Sequence, residues 1–309
     1  MALETKPTRQ TKPNRPRMPV ARTEPRSLSA EQSAQIQRIQ RVGAYILLVL
    51  ASAAFILPLL WMFTTSLKSS TSVLEFPPRF FPNEYHWENY PNAWTAMPFT
   101  RFLLNSILVT VLSVLGNLIS CILPAYAFAR LRSRVRGVMF AAMLATMMIP
   151  AQVTLVPRFL LFSQAGLVDT YWPLVLPNFF GTALLIFLLR QFFTTIPQEL
   201  VDSARIDGAG ELRILWRIMI PLSKPAIATV TLMSFIATWG EYLDPLIYLR
   251  STEKFTIPLG IALFRGEHDD QYHLMMAVSM MALAPIIVVF LGAQKYFIRG
   301  ITLTGISGR

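Results

Sequence analysis

Residues able to do chemistry are few in this chain, and they fall into three places. The first is a polar stretch from Thr194 to Lys224, TTIPQELVDSARIDGAGELRILWRIMIPLSK, which holds Glu199, Asp202, Asp207 and Glu211 among Arg205, Arg213 and Arg217. The second is a pair of carboxylates, Glu241 and Asp244, set in an otherwise apolar segment. Acids in such a setting are costly and usually face a cavity or a partner charge. The third is the run Glu267-His268-Asp269-Asp270, with His273 nearby. These are metal-ligating types, but their spacing matches no metal signature, and a solvated loop is the expectation. A phosphate-cradling Walker loop needs Gly-Lys followed by Ser or Thr. None of the 14 glycines precedes a lysine, so any ATP chemistry must come from another chain. The three histidines, His86, His268 and His273, fall outside the apolar segments. That argues against a membrane-embedded enzyme, which would need a convergent His, Ser or carboxylate cluster on them. The single cysteine, Cys121, excludes an intrachain disulfide and leaves the redox compartment open.

The elements that position these residues follow from composition. Of 309 residues, 53% are hydrophobic and only 15% charged, against about 25% charged in an ordinary soluble domain. Apolar runs at about 42–64, 102–129, 137–162, 171–193, 225–249 and 275–298 each reach the roughly 20 residues that cross a hydrocarbon core. The fold class is therefore all-α, a polytopic membrane bundle of six helices. Residues 1–41 differ, with nine Lys/Arg, five prolines and few large apolar side chains. Such a segment cannot bury enough surface to offset its chain entropy and reads as a disordered basic tail. The long run after it spans rather than being cleaved as a signal peptide.

Basic residues set the orientation. With the N-terminus inside, 21 of the 28 Lys/Arg are cytoplasmic, including Arg130, Arg132, Arg134 and Arg136, and without the tail the count is still 12 against seven. By the positive-inside rule both termini and residues 130–136 and 194–224 are cytoplasmic. The net charge of +11 flanks the spans and does not point to nucleic acid. Residues 65–101 carry Phe76, Phe80, Phe81, Tyr85, Trp87, Tyr90 and Trp94 among their aromatic side chains, suited to an interfacial cover over the outer mouth. The segment at about 250–274 is a second, mixed and polar external loop.

The stretch 194–224 is too patterned for a connector. Thr195 with Gln198 has capping-box spacing and Pro197 suits a first helical turn. A short helix over 197–206 places Leu200, Val201 and Ala204 on one side, and Asp207-Gly208 breaks it. A second amphipathic stretch sets Leu212, Leu215, Trp216 and Ile218 against Arg213 and Arg217, ending at Pro221 and Pro225. Physics alone leaves two readings open: a docking element on the cytoplasmic face, or an amphipathic helix resting on lipid headgroups.

This stretch resembles the EAA loop of binding-protein-dependent ABC importer permeases. That pattern is Glu-Ala-Ala, three residues, Gly, then nine residues to Ile-x-Leu-Pro; here stand Asp202-Ser203-Ala204, Gly208 and Ile218-Met219-Ile220-Pro221. Asp replaces Glu, Ser the first Ala and Ile the Leu, each keeping charge, size or apolarity. The runs GLVDTYWPLVLPNFF, LLRQFFTTIPQEL and FIATWGEYLDPLIYL, with the C-terminal GIT and GISG, are similar to the carbohydrate-uptake branch, which includes the second permease of the maltose system. The resemblance covers about 42–309. It implies a type I importer permease fold in the inner membrane of a prokaryote. It also implies a homologous second permease, two copies of a cytoplasmic ABC ATPase holding ATP and Mg²⁺, and an extracytoplasmic solute-binding protein, with no cofactor on this chain. Glu199, Leu200, Asp202, Ser203, Ala204, Asp207, Gly208, Ala209 and Pro221 would then form the ATPase-coupling loop.

The substrate path is read more loosely. Gln152, Asn178, Trp239, Glu241 and Tyr242 are its candidates, with Glu241 in a Trp-x-Glu element that related permeases share. Glu241 could equally belong to a structural ion pair, Asp244 to a solvated interface, and Asn178 to a bond with a neighbouring helix. Arg158 either joins the path or snorkels outward. The methionines at 275, 276, 280 and 281 read as helix packing. The rival function is an ion-coupled secondary transporter, which would show internal repeats and paired broken helices carrying acids; the sequence shows neither clearly.

Overall fold

The structure is a computed structural model that describes residues 30–265 and 271–305, with side chains over 38–265 and 271–295. Residues 1–29, 266–270 and 306–309 lie outside the described residues. That removes most of the tail, the acidic run and the final GISG from view.

The described chain is helical, with no strand among the described residues. Helix α1 (Ala30–Ser66) begins inside the segment that composition marks as a tail. Two compact units divide at Leu57 and Pro58. The first unit is the N-terminal part of α1, whose apolar side chains such as Leu47 and Phe55 are exposed, as suits a lipid solvent. The second unit holds the rest.

In that unit follow α2 (Asn89–Ala96), α3 (Phe99–Arg130), α4 (Arg136–Thr146), α5 (Ala151–Gln164), α6 (Trp172–Val175), α7 (Ala183–Thr195) and α8 (Gln198–Ile206). Then come α9 (Glu211–Ile214), α10 (Ile220–Leu222), α11 (Lys224–Trp239), α12 (Leu243–Tyr248), α13 (Ile257–Ala262) and α14 (Tyr272–Gly305). Four helical stretches are long and apolar enough to cross a membrane: 38–66, 99–130, 172–195 and 272–295. Two bent pairs, 136–146 with 151–164 and 211–222 with 224–239, bring the number to as many as six if each pair is one span. The third expected span is thus not one helix. It breaks between α4 and α5 at 91°, where Pro150 is extended (φ −60°, ψ 137°). Proline has no N–H for the ladder and pushes its predecessor out of the helical region. The fifth is shorter than expected as well: α11 ends at Trp239, and the chain turns through Gly240 and Glu241 before α12.

Helix α3 is the central strut. Near one end it packs in a cluster with α7, α8, the 211–219 stretch and α11, through Cys121, Tyr126, Leu189, Phe193, Val201 and Met219. Near the other, Phe99 and Phe102 pack on Trp239, Ile257, Phe264 and Val278. The segment expected to be a polar external loop is therefore half core. Ile257, Leu259 and Phe264 are buried, and Phe264 stacks on Phe99 at 5.8 Å. His273 sits in the first turn of α14 rather than in a loop. Met275 and Met281 pack against the same cluster.

Candidate functional site

The coupling stretch forms as a helix, a glycine exit and a second helical run. Helix α8 matches the expected short helix, and Gly208 leaves it with φ +78°. L side chains resist that backbone region and glycine does not. Space around Gly208 is open, with nothing within 4 Å of an added Cβ, so the constraint is purely one of backbone. The capping box does not form. Pro197 occupies the N-cap, and the Thr195 hydroxyl donates back to the Phe192 carbonyl at 2.8 Å.

Two faces of this stretch differ in chemistry. Val201, Ala204, Ile214, Leu215 and Met219 are buried against α3 and α7, with Ala209 half-buried beside them. The opposite surface keeps apolar side chains in the open: Leu200 at 43%, Ile206 at 87%, and Leu212 and Trp216 at 65%. Leu200 is thus not on the Val201 side, contrary to expectation. Leu212 and Trp216 also face away, because residues 215–219 form a π turn whose wider pitch shifts the register. Glu199, Asp202, Ser203, Asp207 and Pro221 are exposed.

A ring of polar bonds fastens the buried face to α3. Arg130, 8% exposed, donates to the Gln198 side-chain carbonyl at 2.6 Å and also to the Phe193 and Ile196 carbonyls. Gln198 donates to Asp202 at 3.0 Å, Asp202 pairs with Arg205 at 3.2 Å, and Arg205 donates to Glu211 at 2.9 Å. Glu211 closes the ring by accepting from the Tyr126 hydroxyl at 2.5 Å. Arg205 holds the Glu211 carboxyl below its ordinary range. Arg130 and Tyr126 stand one helical turn apart on α3. Sequence reading missed both, since neither belongs to a local motif.

Farther along α3 lies a cavity of about 140 Å³, and Asn178 and Glu241 both line it. Beside them are Ser106, Thr110, Asp244 and Thr256. The other candidates stay outside. Trp239 is buried and donates to the Ala282 carbonyl at 3.1 Å, which turns it toward α14. Tyr242 and Gln152 are exposed and do not line the cavity. Asn178 bonds within the bundle: it accepts from Asn117 and donates to the Leu174 carbonyl, both at 2.9 Å. Glu241 makes no ion pair among the described residues. One of its oxygens accepts from the Leu243 and Asp244 backbone N–H groups at 2.9 and 3.2 Å, stabilising the start of α12. Arg158 does not snorkel outward; it pairs with Asp244, joining α5 to α12.

Across the chain, residues 116–303 match the model of the family described as binding-protein-dependent transport system inner membrane component. The chain belongs to this family. Among its relatives, the melibiose/raffinose/stachyose import permease of Bacillus subtilis is 33% identical over 269 residues, covering 85% of this chain and 95% of the relative. The arabinooligosaccharides permease of the same organism is 30% identical, covering 87% and 97%. The sn-glycerol-3-phosphate permease of Yersinia pestis is 32% identical, covering 84% and 95%. A chain of a bacterial ABC transporter for import of the acidic polysaccharide alginate superposes with a TM-score of 0.73 at 27% identity, covering 89% of this chain and all of that one. The helical bundle is thus the importer-permease fold, and this chain is a membrane-spanning permease subunit of an ABC importer.

Proposed function

We propose that the permease conducts a sugar or sugar derivative, delivered by an extracytoplasmic binding protein, into the cytoplasm. ATP and Mg²⁺ are held by two copies of a separate ATPase, and a homologous second permease completes the path. Two of the relatives above are named for melibiose, raffinose and stachyose or for arabinooligosaccharides, which supports the sugar reading. A solved structure of a bacterial alginate ABC transporter that shares the fold at 17% identity is in complex with an alginate pentasaccharide-bound periplasmic protein, which supports the delivery partner. Both termini and the coupling stretch face the cytoplasm, by the bias of Lys and Arg.

One observation carries this reading: the coupling stretch is clamped on one face and apolar on the other. A lone amphipathic helix resting on headgroups would need no polar ring to hold it against α3. An exposed set of Leu200, Ile206, Leu212 and Trp216 suits a protein groove that excludes water. Co-expression with the ATPase and the second permease tests it. Ile206→Glu should release the ATPase on purification while the chain still inserts and still pairs with the second permease. Full ATPase retention would contradict this.

A further inference from the structure

We propose that the outer halves of three spans, α5, α6 and α12, form one rigid module that swings on three joints while the inner halves, α4, α7 and α11, follow the coupling stretch. This rests on the cytoplasmic placement of that stretch and on its ATPase partner, as read above. The third span breaks at 147–150, where α4 and α5 meet at 91°. The fourth is interrupted where Gly181 (φ +83°, ψ 140°) and Thr182 (φ −103°, ψ 119°) leave the helical region before α7. The fifth is interrupted at 240–242, and Glu241 accepts from the Leu243 and Asp244 N–H groups to start α12 afresh. At each place the ladder of helical hydrogen bonds stops. A few residues there can absorb a change of backbone angle that an unbroken helix resists.

The two sides of the joints pack separately. On the outer side, Phe162 of α5, Leu174 and Val175 of α6 and Tyr248 of α12 share one buried cluster. The rings of Phe159 and Phe162 lie against Tyr248 at 5.9 and 5.7 Å. Two polar ties reinforce this side. Arg158 of α5 pairs with Asp244 of α12, both half-buried, where water and salt screen the pair less than at a surface. Beyond it, the Asp169 N–H donates to the Tyr248 carbonyl at 2.8 Å, and the Asp169 carboxylate accepts from Ser251 and Lys254 at 2.6 and 2.8 Å. On the inner side, Met143 of α4, Leu189 of α7 and Val230 of α11 belong to the cluster that also holds Val201 and Met219 of the coupling stretch. Among the described residues, α3 is the one helix that enters both clusters, with Val109 in the outer and Cys121 in the inner. The cavity lies at the joints: Asn178 stands just before one, Thr238 and Glu241 at another, and Asp244 just beyond it. A swing of the module therefore reshapes the cavity without unpacking either cluster, as close-packed cores require.

The test uses the full complex in a lipid bilayer, with partner permease, ATPase and its own binding protein. Spin-labelled amino acids are placed at Leu161 on α5, Leu246 on α12 and Gln191 on α7, all exposed. Distances are read without nucleotide, and again with ATP, binding protein and a hydrolysis-dead ATPase. The Leu161–Leu246 distance should hold. The Leu246–Gln191 distance, taken across the joints, should shift by about 2 Å or more, the size of an ordinary helix displacement. Arg158→Met should broaden the Leu161–Leu246 distribution and lower uptake several-fold, whereas Arg158→Lys, which can still pair with Asp244, should keep both near the parent's. A changed Leu161–Leu246 distance overturns the module and leaves the importer reading intact. So does an unchanged Leu246–Gln191 distance in a complex whose ATP hydrolysis responds to the binding protein, and so does an Arg158→Met distribution as narrow as the parent's. If ATP hydrolysis itself fails to respond, the importer assembly is what falls, and the module with it.

Discussion

Tyr126 donates its phenolic proton to Glu211 at 2.5 Å, joining residues 85 apart in sequence across the top of the coupling stretch. One turn farther along α3, Arg130 holds the start of the same stretch. Movement of the stretch must therefore move α3, and α3 also carries Ser106 and Thr110 in the cavity wall. A hydrogen bond to a charged group contributes about 1.5–3 kcal/mol. A double-mutant cycle of Tyr126→Phe and Glu211→Gln, read by thermal unfolding in detergent, should show coupling of about that size. Additive single effects would mean the bond is not made.

Arg130→Met should be worse than either of those changes. It leaves the Phe193 and Ile196 carbonyls and Gln198 without their donor, at about 1–3 kcal/mol for each buried acceptor left unpaired. Limited proteolysis of membranes should then cut within 194–224 at least tenfold faster, with the spans intact. An unchanged cleavage rate would show that the ring does not hold the stretch.

Gly208 tests backbone rather than packing. Its φ of +78° with open space around it means that Gly208→Val costs about 1–3 kcal/mol of strain, while Gly208→Asn is tolerated because Asn visits this region. Uptake should be lost in the first and largely kept in the second, with the chain inserted in both. Equal transport by Val and Gly would remove the exit geometry from the account.

Gly260 faces the opposite problem. A Cβ there would stand 2.4 Å from the ring of Phe102, which is fully buried. Gly260→Ala should destabilise by about 1–3 kcal/mol, the usual cost of overpacking, seen as a lowered Tm of the detergent-solubilised protein. Phe102→Leu in the same chain should recover part of the loss.

Asp169 supplies the pH dependence. It accepts from the Lys254 ammonium at 2.8 Å, the Ser251 hydroxyl at 2.6 Å and the Arg250 and Ser251 N–H groups at 3.0 Å. The bond from Lys254, then those from Ser251, hold its carboxyl well below the ordinary range. A depressed folded pKa means the stabilisation is complete above the unfolded pKa, about 3.9, and is lost as pH falls through the folded one. Hydrogen exchange of residues 249–254 should therefore show no change in protection from this group between pH 7 and pH 4.5. Asp169→Asn should expose the same amides already at pH 7. Unaltered exchange in that variant would refute the clip.

How much of this was legible in the sequence follows from how local each signal is. Helix α8 and its exit could be read, because Pro197, the apolar spacing and Asp207-Gly208 all lie within a dozen residues. The break at Pro150 was visible as a proline, but membrane helices often tolerate proline, so its 91° consequence was not. The faces of the second run were misread because the π turn at 215–219 breaks the 3.6-residue period. Arg130 counted only as flanking charge, and nothing local in the sequence marks Tyr126. Their partners come from other helices, and only tertiary placement reveals them. Arg158 and Asp244, on different helices, escaped pairing for the same reason.

We propose that this permease couples solute passage to ATP hydrolysis on a separate subunit. Uptake by proteoliposomes holding the whole complex, with binding protein outside and ATP inside, tests it most directly. Uptake should need both, continue when proton and sodium gradients are collapsed, and vanish with a hydrolysis-dead ATPase. Uptake that persists without ATP and follows an imposed ion gradient would contradict it.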